Sequence, residues 1–179
     1  MRVVQLDGGR DGLWALGERL VVARDGDTLA IFDVAAEPFG AEALLTSRGV
    51  ADVVVAGDTL LWANQRGAVL GWRVDGTRAR KWGGFALPRG PDVRLAAVSP
   101  SGLLAAAAGP GVMFVLDVAT GATLAEHPCA SPAGASFSRD AAGQEQLQLG
   151  PAPAAPARAI TLGDTTVQAA AAAAPAAPA

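Results

Sequence analysis

Apolar and polar positions alternate in short runs along most of the chain, and the pattern is clearest between Arg94 and His127. Four apolar runs lie there, separated by Ser-Pro-Ser-Gly at 99–102, Gly-Pro-Gly at 109–111 and Ala-Thr-Gly at 119–121. Runs this short between such turn signals predict four antiparallel strands in a meander. The same arrangement occurs twice more. Gly12–Val34 and Asp52–Val74 each hold an apolar run, a turn, a second run, a tight turn and a third run. That last run closes on a bulky apolar residue and a polar one: Phe32-Asp33, Trp72-Arg73 and, in the third copy, Leu116-Asp117. Val34, Val74 and Val118, which end the copies, are spaced by 40 and 44 residues.

A period of 40–45 residues with four strands per unit is the signature of a β-propeller blade. From VSPSG to LDVATG, and again at SFSRD (136–140), the chain resembles the WD-repeat family and, more loosely, quinoprotein-like propellers. The resemblance covers roughly residues 12–140 and implies an all-β, propeller-like array of four-stranded antiparallel blades. The family's Gly-His dipeptide is missing, and its Trp-Asp pair survives only in the three altered closing pairs. Where the family carries a structural Asp in the turn, this chain has Gly26, Arg66 and Pro110, so the family's buried tetrad is not expected.

This pattern divides the chain. Residues 1–140 are expected to form blades, with copies ending near 38, 90 and 130. Residues 141–164 are a degenerate further blade at most: QEQLQLG at 144–150 alternates like a strand, and RAITLGD at 158–164 could pair with it across PAPAAPA. From about 165 the Ala/Pro-rich sequence reads as a disordered tail, with at best a marginal helix at 167–174. The leading VVQLD (3–7) has the character of an outer strand that could complete the last blade and close a ring. An open ring would leave two blade faces bare. About 400 Å² of apolar surface on each corresponds to roughly 10 kcal/mol at about 25 cal/mol per Å², comparable to the ~5–15 kcal/mol stability of a domain. Three blades are therefore expected either to close as a small four-bladed ring or to belong to a larger propeller completed by other sequence.

Composition narrows the chemistry. Of 179 residues, 51% are hydrophobic, but many are alanine, aromatics make up 5% and tyrosine is absent. Alanine suits narrow gaps between sheets and contributes little burial per residue. The net charge of −3 is too small to suggest a nucleic-acid or membrane surface. No signal-length apolar stretch opens the chain and no breaker-free run of about 18 apolar residues follows, so a soluble cytoplasmic protein is the expectation. A single cysteine, Cys129, precludes an internal disulfide framework.

No motif points to catalysis. His127 and Cys129 are two ligands where zinc wants about four, and no other His or Cys exists. Gly134-Ala135-Ser136-Phe137-Ser138 lacks the second glycine of a nucleophile elbow. No phosphate loop or dinucleotide fingerprint occurs. DGGRDG (7–12) and RDGDT (24–28) could suggest calcium, but the glutamate such a loop needs is missing, and Asp-Gly is common hairpin chemistry. The expected innermost runs, Trp14–Leu16, Val53–Val55, Leu95–Val98 and Ser136–Phe137, carry almost nothing ionisable. Neither an enzyme nor a cofactor or metal site is expected. Trp14, Trp62 and Trp72 read as core.

Charge is unevenly placed. Between Arg73 and Arg94 six basic residues face two acidic ones, a local +4 that leaves −7 for the rest of the chain. Trp82 and Phe85 lie within this stretch, and arginine with aromatics is the composition of interface hot spots. Arg78, Arg80, Lys81, Trp82 and Arg89 are the candidate partner-binding residues. The plainer alternative is a solvated outer strand whose Trp82 packs on the next blade. Nucleic acid is a weaker option, since one short patch on an acidic chain gives little phosphate affinity.

The resulting expectation is a non-catalytic protein–protein interaction platform. The alternatives are a structural subunit that completes a larger propeller, with self-association or a second chain closing it, and a small-molecule-binding or enzymatic propeller.

Overall fold

A computed structural model describes residues 2–9, 11–37, 42–75, 78–128, 135–140, 143–149, 159–162 and 165–170. The chain is built of β-strands, and among the described residues there is no α-helix, only a 3-10 turn at Gly90–Asp92. It divides into two compact units, one of residues 1–48 with 155–179, the other of residues 49–154.

The first unit contains β1 (Arg2–Gly9), a four-stranded antiparallel sheet and the last strands of the chain. The sheet runs in order β2 (Gly12–Leu16), β3 (Leu20–Asp25), β4 (Thr28–Asp33), β5 (Leu45–Ser47). Alternating residues put Leu13, Val21, Ala23, Phe32 and Val34 into one apolar cluster. Asp33 ends the third strand and ties back to the first turn. Its carboxylate accepts from Arg19 Nε at 2.7 Å and from Ala35 N at 2.8 Å. The Arg19 hydrogen bond is the main influence holding that carboxyl below its ordinary range.

This blade differs from expectation at its outer edge. β5 lies beyond position 38, because the outer strand is only three residues long and follows a Pro- and Gly-containing connection that hides it. The chain ends also differ. β16 (Ala159–Leu162) pairs antiparallel with β17 (Thr165–Ala170), and β17 pairs parallel with β1. RAITLGD thus joins the strand after it, not QEQLQLG. Residues 165–170, expected in a tail, form a strand instead: Thr165, Thr166 and Val167 are β-branched, a character the neighbouring alanines mask. Residues 171–179 lie outside the described residues. The leading strand joins the chain's C-terminal strands as the edge of a three-stranded sheet.

The second unit holds two complete blades and a hairpin. One blade is β6 (Val50–Ala56), β7 (Thr59–Asn64), β8 (Ala68–Asp75), β9 (Arg78–Ala86). The next is β10 (Arg94–Val98), β11 (Leu104–Gly109), β12 (Val112–Asp117), β13 (Thr123–Pro128). β14 (Ala135–Arg139) and β15 (Glu145–Leu149) pair as a two-stranded hairpin. Between the two blades lies the main core, with Val54, Leu61, Val69, Leu95, Phe114 and Leu116 among its members. A smaller cluster of Ala97, Ala106, Met113 and Ala135, with Phe137 and Leu147 against it, joins the second of these blades to the hairpin. Strand β11 is alanine at four successive positions. Ala105 and Ala107 face one neighbour and Ala106 the other, all fully buried, so both neighbouring sheets approach closely.

Candidate functional site

Inner strands of the second unit extend beyond their apolar runs and so take in three charges, Asp52, Arg94 and Arg139. Each has a partner. Asp52 Oδ2 accepts from Leu95 N at 3.2 Å, and Arg94 Nη1 stands 3.6 Å from Asp52 Oδ1. Arg139 Nη2 lies 3.6 Å from Glu145 Oε1. These pairs stitch neighbouring strands and sheets together.

The Ser-Pro-Ser-Gly turn at 99–102 is a densely bonded polar site. Ser99 is fully buried, and its hydroxyl accepts from Leu104 N at 3.1 Å and meets Ser101 Oγ at 3.0 Å. From β15, the Glu145 carboxylate accepts from Ser101 N at 2.6 Å and from Ser101 Oγ at 2.8 Å. On the other side, Arg73 Nη2 donates to Ser101 O at 3.1 Å. Burial by itself would raise the Glu145 pKa. The Ser101 and Ser99 hydrogen bonds and the Arg139 charge outweigh it and hold the carboxyl below its ordinary range. A carboxylate so stabilised is a weak base near neutral pH, so the Ser101–Glu145 pair is suited to clasping sheets together, not to activating a nucleophile.

Gly102 completes this junction. Its φ of +70° is one that only glycine adopts readily, and an added Cβ would collide with Thr59 Oγ1 and approach Arg73 Nη2 at 2.8 Å. Thr59 is itself buried, so the turn is wedged against β7 and cannot back away. Sequence reading identified this turn. It had no signal for Glu145, which arrives from 44 residues further on.

The basic stretch separates into two groups. Arg73, Arg89 and Arg94 bond to neighbouring segments, Arg73 half-buried and the other two exposed. Arg89 has a left-handed backbone (φ 61°) ahead of the 3-10 turn, its Nη2 lies 3.2 Å from Glu126 Oε2, and its guanidinium sits 5.1 Å from the centre of the Phe114 ring. Of the candidate partner-binding residues, Arg89 is thus linked to β12 and β13 and apart from the others. Arg78, Arg80, Lys81 and Trp82 all lie on β9. Arg80 and Lys81 are exposed, while the side chains of Arg78 and Trp82 lie outside the described residues. Phe85, on the same strand, packs against the main core.

Among the other candidates, His127 is exposed on β13 and Cys129 lies outside the described residues. In the first unit, Asp11 Oδ2 accepts from Gly26 N at 2.6 Å, so this carboxylate acts as a hairpin-turn acceptor. Ser136 and Ser138 lie on the regular strand β14, without the strand–turn–helix a nucleophile elbow requires. Ser138 Oγ accepts from Gln148 Nε2 at 3.0 Å. Trp62 is buried and meets Trp72 with ring centres 6.2 Å apart.

No protein-family model matches the chain, and no curated protein does. Solved structures do. A structure of Kluyveromyces lactis Hsv2 with complete loop 6CD matches at a TM-score of 0.51 and 17% identity, covering 69% of this chain and 39% of that one. Another structure of K. lactis Hsv2 matches at a TM-score of 0.52 and 17% identity, covering 74% of this chain and 44% of that one. The chain therefore spans about two fifths of the length of these structures. At such identity the likeness speaks for fold alone, and with the four-stranded antiparallel sheets it makes this chain an all-β, β-propeller-like array of blades.

Proposed function

We propose that the chain is a non-catalytic interaction platform, built from degenerate blades of WD-repeat type, that docks an acidic protein partner on β9. The observation that carries this reading is the pair Arg80 and Lys81. Both are exposed on the outermost strand of their blade, and among the described residues neither has a carboxylate partner. Desolvated arginine beside aromatic residues is where interfaces concentrate binding energy. A cytoplasmic setting is part of the same proposal.

The test is capture with the full chain and with a variant carrying Arg78→Glu, Arg80→Glu and Lys81→Glu. Partners retained by the wild type should be lost from the variant while its thermal unfolding stays unchanged. Identical retention would overturn the reading.

A second reading, a structural subunit of a larger propeller, is favoured by coverage, since this chain matches only 39% and 44% of the two Hsv2 chains. It predicts a complex with a second chain, read as molar mass by light scattering. A cooperative monomer that binds no hydrophobic dye would remove it.

A further inference from the structure

We propose that β9 accepts an extended acidic peptide as a fifth strand of its blade, bound along the outer edge. This rests on the docking reading above and names the partner's chemistry and mode of binding.

β9 is the last strand in the order β6-β7-β8-β9, with nine residues against three in β5 and six in β13. From Arg78 to Trp82 its register with β8 is unbroken: Asp75 faces Arg78, Arg73 faces Arg80, Trp72 faces Lys81 and Gly71 faces Trp82. Along such a stretch alternate backbone N–H and C=O groups point away from β8, ready to pair with an added strand. Beyond Trp82 a bulge follows, with Gly83 inserted before Gly84. A bulge twists its strand and ends the straight edge, so the site is about five residues long.

The charges decide between docking modes. Successive strand residues project to opposite sides of a sheet. Arg80 shares the side of Arg73, which reaches Ser101, while Lys81 shares the side of Trp72. A helix or a flat surface laid on one side would therefore meet one of the two cations. A strand added in the plane of the sheet sends neighbouring side chains to both sides, so two adjacent acidic residues would reach one cation each. Neither β5 nor β13 offers this combination, since β5 carries no charge and β13 carries Glu126.

The competing role for a charged edge is protection against strand-to-strand aggregation. One set of measurements separates the two. A labelled synthetic peptide with two adjacent glutamates flanked by valine and threonine is titrated into the full chain by fluorescence polarisation. Alongside it run a diglutamine analogue and a version N-methylated on alternate amides. The proposal expects saturable binding weakened about tenfold or more by the diglutamine change, by N-methylation and by Arg80→Glu with Lys81→Glu. Equal binding of the N-methylated peptide would overturn strand addition while leaving charge docking intact. Absence of binding by the diglutamate peptide, with captured partners still dependent on Arg80 and Lys81, would overturn the peptide chemistry alone. An Arg80→Ser, Lys81→Ser variant that self-associates yet binds the peptide as the wild type does would assign the edge to protection and overturn the proposal.

Discussion

Glu145 on β15 grips Ser101 of the neighbouring blade by two hydrogen bonds, 2.6 Å from the backbone N–H and 2.8 Å from the hydroxyl. The apolar cluster joining this hairpin to the neighbouring blade is small and largely alanine, with Met113, Phe137 and Leu147 as its larger members. Attachment of the β14–β15 hairpin thus depends on an ionised carboxylate as well as on burial.

That dependence has a pH signature. Glu145 has a folded pKa below its unfolded value, so its contribution is fully present above the unfolded value, about 4.3. It is lost as pH falls through the folded value. Urea unfolding between pH 3 and 7 should show wild-type stability declining on the acid side. Glu145→Ala should be weaker by about 1.5–3 kcal/mol at neutral pH, the range for hydrogen bonds to charged groups, with a flatter acid limb. Faster amide exchange in β14 and β15 would locate the loss.

Gly102→Ala should be severe. A left-handed backbone costs a side-chain-bearing residue roughly 1–3 kcal/mol, and the collision with Thr59 and Arg73 adds to it. Gly57→Ala is the matched control: it is also left-handed, but its added Cβ would find only Pro100 O, at 3.6 Å. A Gly57 variant as damaged as the Gly102 variant would remove the wedge at Thr59 as the explanation.

Close approach of sheets at β11 makes its alanines intolerant of bulk. Ala107→Leu should lower stability by about 1–3 kcal/mol, although it adds apolar surface. Phe114→Ala, which empties the same core, should cost about 3–5 kcal/mol. Denaturant midpoints with unchanged slopes would show both as losses of folded-state packing.

Arg89 should separate from its neighbours in sequence. Its ion pair with Glu126 is exposed on both sides, so Arg89→Ala should change stability by about 1 kcal/mol or less. It should also leave capture of partners as in the wild type, whereas Arg80→Glu with Lys81→Glu abolishes it. Loss of capture in the Arg89 variant would return this residue to the docking surface.

The repeat of short apolar runs made the blades legible, since strand alternation and turn residues are local properties. β5 was hidden because three residues cannot display a period. The partner of β16 is not legible in composition: Thr165–Val167 supply it from within an alanine-rich stretch, while Leu147 and Leu149 belong to a strand that pairs with β14. At the candidate site, Arg80 and Lys81 could be read as surface charges. Arg89 could not be told apart from them, because its ties to Glu126 and Phe114 span a change of blade. Glu145 looked like an isolated charge in a polar strand; only folding brings Ser101 within its reach.

By strand alternation, Ser136, Ser138, Gln146 and Gln148 share the side of the β14–β15 hairpin turned away from Ala135, Phe137 and Leu147, and Gln148 already bonds Ser138 across it. A further sheet laid on that side would have to strip water from hydroxyls and amides without offering them apolar compensation. Within its own unit the hairpin is thus apolar on the side it turns to the neighbouring blade and polar on the other. Duplication of a blade could be absorbed ahead of β14, where apolar sides face each other on both flanks. On the outer side of the hairpin the same insertion would first require these four polar residues to change.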